Sequence, residues 1–120
     1  MNLAGVHHVS LNVGDVDAAG RFYLEVLGLE QIERPDFGFP GLWIQAGDTQ
    51  IHLIEEQGHR APEGQHFAFQ VADIESTITE LRGRGVEVSD SMDIPGAGTQ
   101  AFLKDPSGNL IELNQPSAPS

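Results

Sequence analysis

From Val6 to Val13 apolar and polar residues alternate, with Val9, Leu11 and Val13 on one face and His8, Ser10 and Asn12 on the other. A period of two predicts a half-buried strand. The period then lengthens. Val16, Ala19, Phe22 or Tyr23, Val26 and Leu27 make an apolar helical stripe, with Asp15 placed to cap its start and Gly28 to end it. Leu29–Glu33, Gly41–Ala46 and Thr49–Glu55 read as three further strands, the last two joined around Gly47-Asp48. Residues 34–40 contain Pro35 and Pro40, which a regular central strand excludes, so they predict a loop carrying Phe37 and Phe39 as exposed aromatics.

After a linker over 56–62 the order repeats. Gln65–Val71 alternates, with Phe67, Phe69 and Val71 opposite His66, Ala68 and Gln70. Asp73 opens a helix whose stripe is Ile74, Ile78 and Leu81, closed by Gly83 and Gly85. Val86–Ser89 predicts a strand, 91–99 a loop around Pro95, and Gln100–Lys104 with Leu110–Asn114 a hairpin. Its turn, Asp105-Pro106-Ser107-Gly108, has the residue order of a type I turn. Residues 115–120 predict a frayed tail. Each half is thus strand, helix and three strands. The expected fold is α+β: two βαβββ modules, about 5–56 and 63–114, in one domain over 1–120 whose mixed sheets curl into a cup.

Size and charge narrow the function classes. The chain has 120 residues, enough for one core and not for two independent ones. Its formal net charge of −12, with six Lys and Arg residues, disfavours nucleic acid and anionic membrane surfaces as partners. With no cysteine there is no thiolate nucleophile, no disulfide and no thiolate metal site. No apolar run reaches the length of a membrane span, and the first residues lack a leader pattern, so a cytoplasmic protein is the expectation.

The repeat carries chemistry at matched places. His8 corresponds to His66, 58 residues on, and His52 to Glu112, 60 residues on. By strand parity all four point away from the face that packs on the helices: His52 lies between Ile51 and Leu53, and Glu112 between Ile111 and Leu113. Three imidazoles and a carboxylate suit Zn, Ni, Co, Fe or Mn, and four protein donors on an octahedral ion leave two positions for substrate or water. A single strand histidine is more often a hydrogen-bonded residue than a ligand; ligand types at every equivalent position of a duplication are what point to a divalent metal site. His7, on the opposite face from His8, and His59, in the linker, are expected to be non-ligands. The same parity places Ser10, Asn12, Ile54, Ala68 and Gln70 along the site, with Trp43 and Phe102 as walls on matching strands. The Phe37–Phe39 loop and the Ile94-Pro95-Gly96 segment are candidate lids.

The segments His8-Val-Ser-Leu-Asn-Val-Gly-Asp15, Phe22-Tyr-Leu-Glu-Val-Leu-Gly-Leu29, Gly64-Gln-His66-Phe-Ala-Phe-Gln-Val-Ala-Asp73 and Phe102-Leu-Lys-Asp-Pro-Ser-Gly-Asn-Leu-Ile-Glu112-Leu113 resemble the vicinal oxygen chelate superfamily. That group includes glyoxalase I, methylmalonyl-CoA epimerase, extradiol dioxygenases, and the fosfomycin- and bleomycin-resistance proteins. The resemblance implies that His8, His66 and Glu112 match the His, His, Glu metal ligands of the group. His52 stands where glyoxalase I carries Glu and the epimerase Gln, and Asn12 and Glu56 stand where glyoxalase I has its glutathione-binding Arg and Asn. It further implies a divalent-metal-dependent lyase or isomerase acting on a small substrate held through neighbouring oxygens, with Glu112 or His52 as proton-transfer base. The alternatives it offers are an Fe(II) extradiol-type dioxygenase using His8, His66 and Glu112, and a non-catalytic drug-binding protein. A homodimer is implied as well.

Overall fold

The computed structural model describes residues 1–117, and within it the chain divides into two compact units, Met1–Arg60 and the residues from Ala61 onward. The first unit runs β1 (His8–Val13), α1 (Val16–Gly20), a π-helical stretch (Arg21–Val26), β2 (Glu30–Ile32), β3 (Gly41–Ala46) and β4 (Thr49–Glu55). Its four strands lie in the order β1-β4-β3-β2, with β1 parallel to β4 and the other neighbours antiparallel. The second unit runs β5 (His66–Gln70), α2 (Ile74–Gly83), β6 (Met92–Ile94), β7 (Gly98–Lys104) and β8 (Leu110–Gln115), in the order β5-β8-β7-β6 with the same directions. Each unit is therefore a βαβββ module. No helix among the described residues is long and apolar enough to cross a membrane.

Each sheet buries one face. In the first unit Val13, Ile44, Ile51 and Leu53 are closed beneath Ala19, Phe22 and Tyr23. In the second, Ala101, Leu103, Ile111 and Leu113 are buried together with Ile74, Ile78 and Leu81 of α2. The register explains the alternation: Ile51 pairs with Ile44 and Val9, and Leu53 with Leu42 and Leu11, so one side of three strands is apolar. Both helices begin alike. Asp15 and Asp73 accept from first-turn N–H groups through their side chains, and a residue at the end of the last strand adds a second acceptor. Glu55 Oε2 takes the N–H of Val16 at 3.0 Å, and Gln115 Oε1 takes that of Ile74 at 2.8 Å.

Three expectations need correction. The first helix is not α-helical to Leu27. It widens at Arg21, where the Leu27 N–H reaches back five residues to Phe22 O at 2.9 Å, and the adjacent rings of Phe22 and Tyr23 are both buried in edge-on contact. Val86–Ser89 is not a strand, because the Val88 carbonyl is taken by the Arg82 guanidinium and Val86 N bonds to Leu81 O. The edge strand is instead Met92–Ile94, inside the stretch expected to be loop. The tail expected over 115–120 begins later, since Gln115 belongs to β8; 118–120 lie outside the described residues.

Candidate metal and substrate site

On the open face of the first sheet, His52 is the centre. It is buried (7% exposed) between two aromatic planes: the His8 ring lies 4.0 Å away at 16° and the Trp43 ring 4.1 Å away at 5°. The register dictates this, since Trp43 stands across the hairpin from His52 and His8 lies one diagonal step away, opposite Gln50. The His52 Nε2–H donates to Gln50 Oε1 at 2.8 Å, leaving Nδ1 as the nitrogen with the free lone pair. Burial first, then the nearby His8, His7 and Arg34, lower the His52 pKa below its usual 6.5, so the ring is held neutral. A neutral imidazole is what either a metal or a proton requires.

His8 itself is exposed, and its Nδ1 lies 2.8 Å from Nδ1 of His7, one ring donating to the other. Strand parity had set His7 on the far side. Residue 7 precedes β1, so alternation does not govern it. His59, in the linker, is half-buried and bonds through its backbone to Glu56.

The second sheet repeats the arrangement with a carboxylate in place of His52. Glu112 is buried (6% exposed) opposite Phe102, and His66 again lies one diagonal step away, opposite Leu110. His66 Nε2 is 3.1 Å from Glu112 Oε1, and the ring meets Phe102 edge-on. The His66 Nδ1–H donates to the Gly64 carbonyl at 2.9 Å, which fixes the ring's orientation. That backbone bond, with the Glu112 carboxylate as the further cause, raises the His66 pKa above 6.5 against the opposing effect of burial. The other carboxylate oxygen, Oε2, accepts from Asn114 Nδ2 at 2.9 Å, and Asn114 also donates to Ala97 O.

The His66–Glu112 pair has a spacing that a divalent ion accepts, whereas His8 and His52 lie face to face as stacked rings. With metal–donor bonds of about 2.1 Å at right angles, two ligands sit roughly 3 Å apart, the spacing seen between His66 Nε2 and Glu112 Oε1. An Nδ1–H donated to a backbone carbonyl is the usual outer-shell support of a metal-binding histidine. Each unit brings two of the four candidate ligands together; among the described residues no cluster of three or more His, Asp or Glu side chains is gathered.

A cavity of about 160 Å³ adjoins His52, lined by Ser10, Trp43 and Ile54 of the sheet and by Arg34, Phe37 and Phe39 of the β2–β3 loop. Ser10, Trp43 and Ile54 thus share this cavity with His52. Asn12, at register with Ile54, shares that face beyond the cavity, and Gln70, at register with Asn114, lies exposed on the second sheet. Sequence reasoning passed over Arg34, Gln50 and Asn114. The last two were within its reach: each is two residues from a candidate ligand on the same strand face. For Arg34 the available signal was a cation spaced three and five residues from two aromatics.

A profile of the Glyoxalase/Bleomycin resistance protein/Dioxygenase superfamily matches residues 5–113. A probable lactoylglutathione lyase of Synechocystis is 31% identical, over 92% of this chain and 95% of its own. Human mitochondrial methylmalonyl-CoA epimerase is 25% identical, over 95% of this chain and 75% of its own. Among solved structures, a glyoxalase family protein from Bacillus anthracis superposes with a TM-score of 0.87 at 30% identity, covering 98% of both chains. TnmS3, an antibiotic-binding protein from Streptomyces, does so with a TM-score of 0.84 at 30% identity, covering 98% of this chain and 99% of its own. A match across nearly the whole length, on the strands that carry His8, His52, His66 and Glu112, makes this chain a member of the glyoxalase/bleomycin resistance protein/dioxygenase superfamily.

Proposed function

We propose that the chain is a divalent-metal-dependent lyase or isomerase that moves a proton at a carbon next to a carbonyl, with His8, His52, His66 and Glu112 as the metal donors. One observation carries the reading: both modules place a buried donor opposite an aromatic, with an exposed histidine one diagonal step away, as His52, Trp43 and His8 and as Glu112, Phe102 and His66. The names of the relatives, a lactoylglutathione lyase and an epimerase, support the reaction class.

A bound divalent ion would supply Lewis-acid stabilisation of the negative charge that grows on a substrate oxygen as the proton leaves. The chain's own groups handle the proton. Glu112, or His52 where it is displaced from the ion, would be the base; Asn114 holds Glu112 Oε2, and Oε1 is the oxygen turned toward His66. His52 Nδ1, left uncommitted by the bond to Gln50, would serve the ion, or the proton where His52 is displaced from it. The four donors would be completed within one chain or between two copies in a homodimer.

The test is metal content of tag-free protein purified without chelators, measured by plasma mass spectrometry beside a His66→Ala, Glu112→Ala double variant. Near-stoichiometric nickel, cobalt, zinc or manganese in the wild type alone is expected. Iron with oxygen consumption on catechols would replace this reading by the dioxygenase. Wild-type protein that refuses every added divalent ion would leave a binding protein, the second reading, which the likeness to TnmS3 and the aromatic cavity favour.

A further inference from the structure

The cavity beside His52 has a composition that the proton-transfer chemistry does not use. Three of its walls, Phe37, Phe39 and Trp43, form a continuous aromatic surface, with Phe37 5.8 Å from Phe39 and 6.0 Å from Trp43. Its cation is Arg34, whose guanidinium carbon stands 4.9 Å from the centre of the Phe37 ring and 5.1 Å from that of Phe39. The placement is built into the sheet edge as well as the loop. A Cβ at Gly41 would fall 2.6 Å from the Leu53 carbonyl oxygen and 2.7 Å from Arg34 Nη2, so the glycine serves the neighbouring strand and leaves the room the guanidinium fills. Stacking engages the flat faces of a guanidinium and leaves its N–H edge, the fork that grips a carboxylate with two parallel bonds. The size sets the rest. An apolar cavity of about 150 Å³ holds one benzene ring, and drug-sized sites start at about 300 Å³.

We propose that this cavity binds a small aromatic carboxylate, its single ring among Phe37, Phe39 and Trp43 and its carboxylate on the Arg34 fork. In a chain of net charge −12 an anionic ligand needs such a placed cation. The ligand names the substrate class of the proposed enzyme and rests on that reading only for turnover: a 2-hydroxy acid of this kind carries the neighbouring oxygens and a proton on the carbon beside its carboxylate, and the 2-oxo acid, which has no such proton, serves as a non-reacting probe.

Trp43 is the chain's single tryptophan, so its fluorescence reports on the cavity directly. Metal-stripped protein is titrated with phenylglyoxylate, with its uncharged amide and with pyruvate, which lacks the ring. Saturable binding of phenylglyoxylate is expected, with the amide and pyruvate each at least tenfold weaker. Arg34→Gln is expected to weaken phenylglyoxylate roughly ten- to a hundredfold, the range of a charged hydrogen bond, and to leave the amide within twofold. Arg34→Lys, which keeps the charge and loses the fork, falls between and covers the case in which the Gln variant does not fold. Equal affinity for acid and amide, pyruvate binding as tightly as the aromatic acid, or no saturable response would each overturn the proposal. A wild-type protein that binds phenylglyoxylate yet takes up no metal would overturn the enzyme reading and leave this one standing.

Discussion

At the scale of single residues, His52 of the first module and His66 of the second are driven in opposite directions, and that is measurable. Burial among aromatic rings and other cations disfavours a charged His52, whereas a carbonyl acceptor and a carboxylate favour a charged His66. In the metal-free protein, histidine resonances assigned through His52→Ala and His66→Ala variants are expected to titrate below 6.5 for His52 and above it for His66. Coincident midpoints would contradict the burial and bonding described. The two also link to stability with opposite signs. The His66 contribution is present below pH 6.5 and lost as pH rises through its raised value; the His52 contribution is present above pH 6.5 and lost as pH falls through its lowered value. The placement of these side chains was legible in the sequence because a period of two assigns every strand residue a face, and the duplication then marks the face that carries the candidate ligands. What stayed hidden were partners set by rotamers and loops. That His66 leans on Gly64, or that Arg34 folds over Phe37 and Phe39, follows from side-chain torsions no spacing encodes.

At the scale of elements, the strongest signals were those with a local cause. Asp15 and Asp73 head their helices because a short carboxylate satisfies N–H groups that the first turn leaves unpaired. Asp73→Ala is expected to cost about 1 kcal/mol in urea unfolding. Gln115→Ala should cost a similar amount, since it serves a different N–H of the same helix end. β6 eluded the pattern for the converse reason. Three residues with two exposed side chains give alternation nothing to act on, and its pairing is fixed from outside, by Gly98–Gln100 of β7. Val86–Ser89 had the better strand composition, but Arg82 occupies the carbonyl a neighbouring strand would need. Gly98 is the hinge of that edge. Its φ is +79°, and a Cβ there would run into the Gln115 carbonyl. Gly98→Ala is accordingly expected to destabilise by at least about 2 kcal/mol, read as an earlier denaturation midpoint with an unchanged slope.

At the scale of the whole molecule, the duplication distributes the proposed metal donors two to a module, so neither module alone offers the set. A ligand that binds only the folded chain stabilises it by mass action, by about 2.7 kcal/mol at a hundredfold excess over its dissociation constant. For a chain of 120 residues that is a rise in Tm on the order of 10 °C. The metal reading therefore predicts that nickel, cobalt or zinc raises the Tm of chelator-treated wild-type protein by that order. Magnesium should raise it far less, because three imidazoles are poor ligands for a hard cation. Removing a donor from either module, by His52→Ala or by Glu112→Ala, should abolish most of the rise, and His59→Ala in the linker should leave it intact. If each single variant kept half of the effect, the modules would be binding ions separately, and the single shared site would have to be given up.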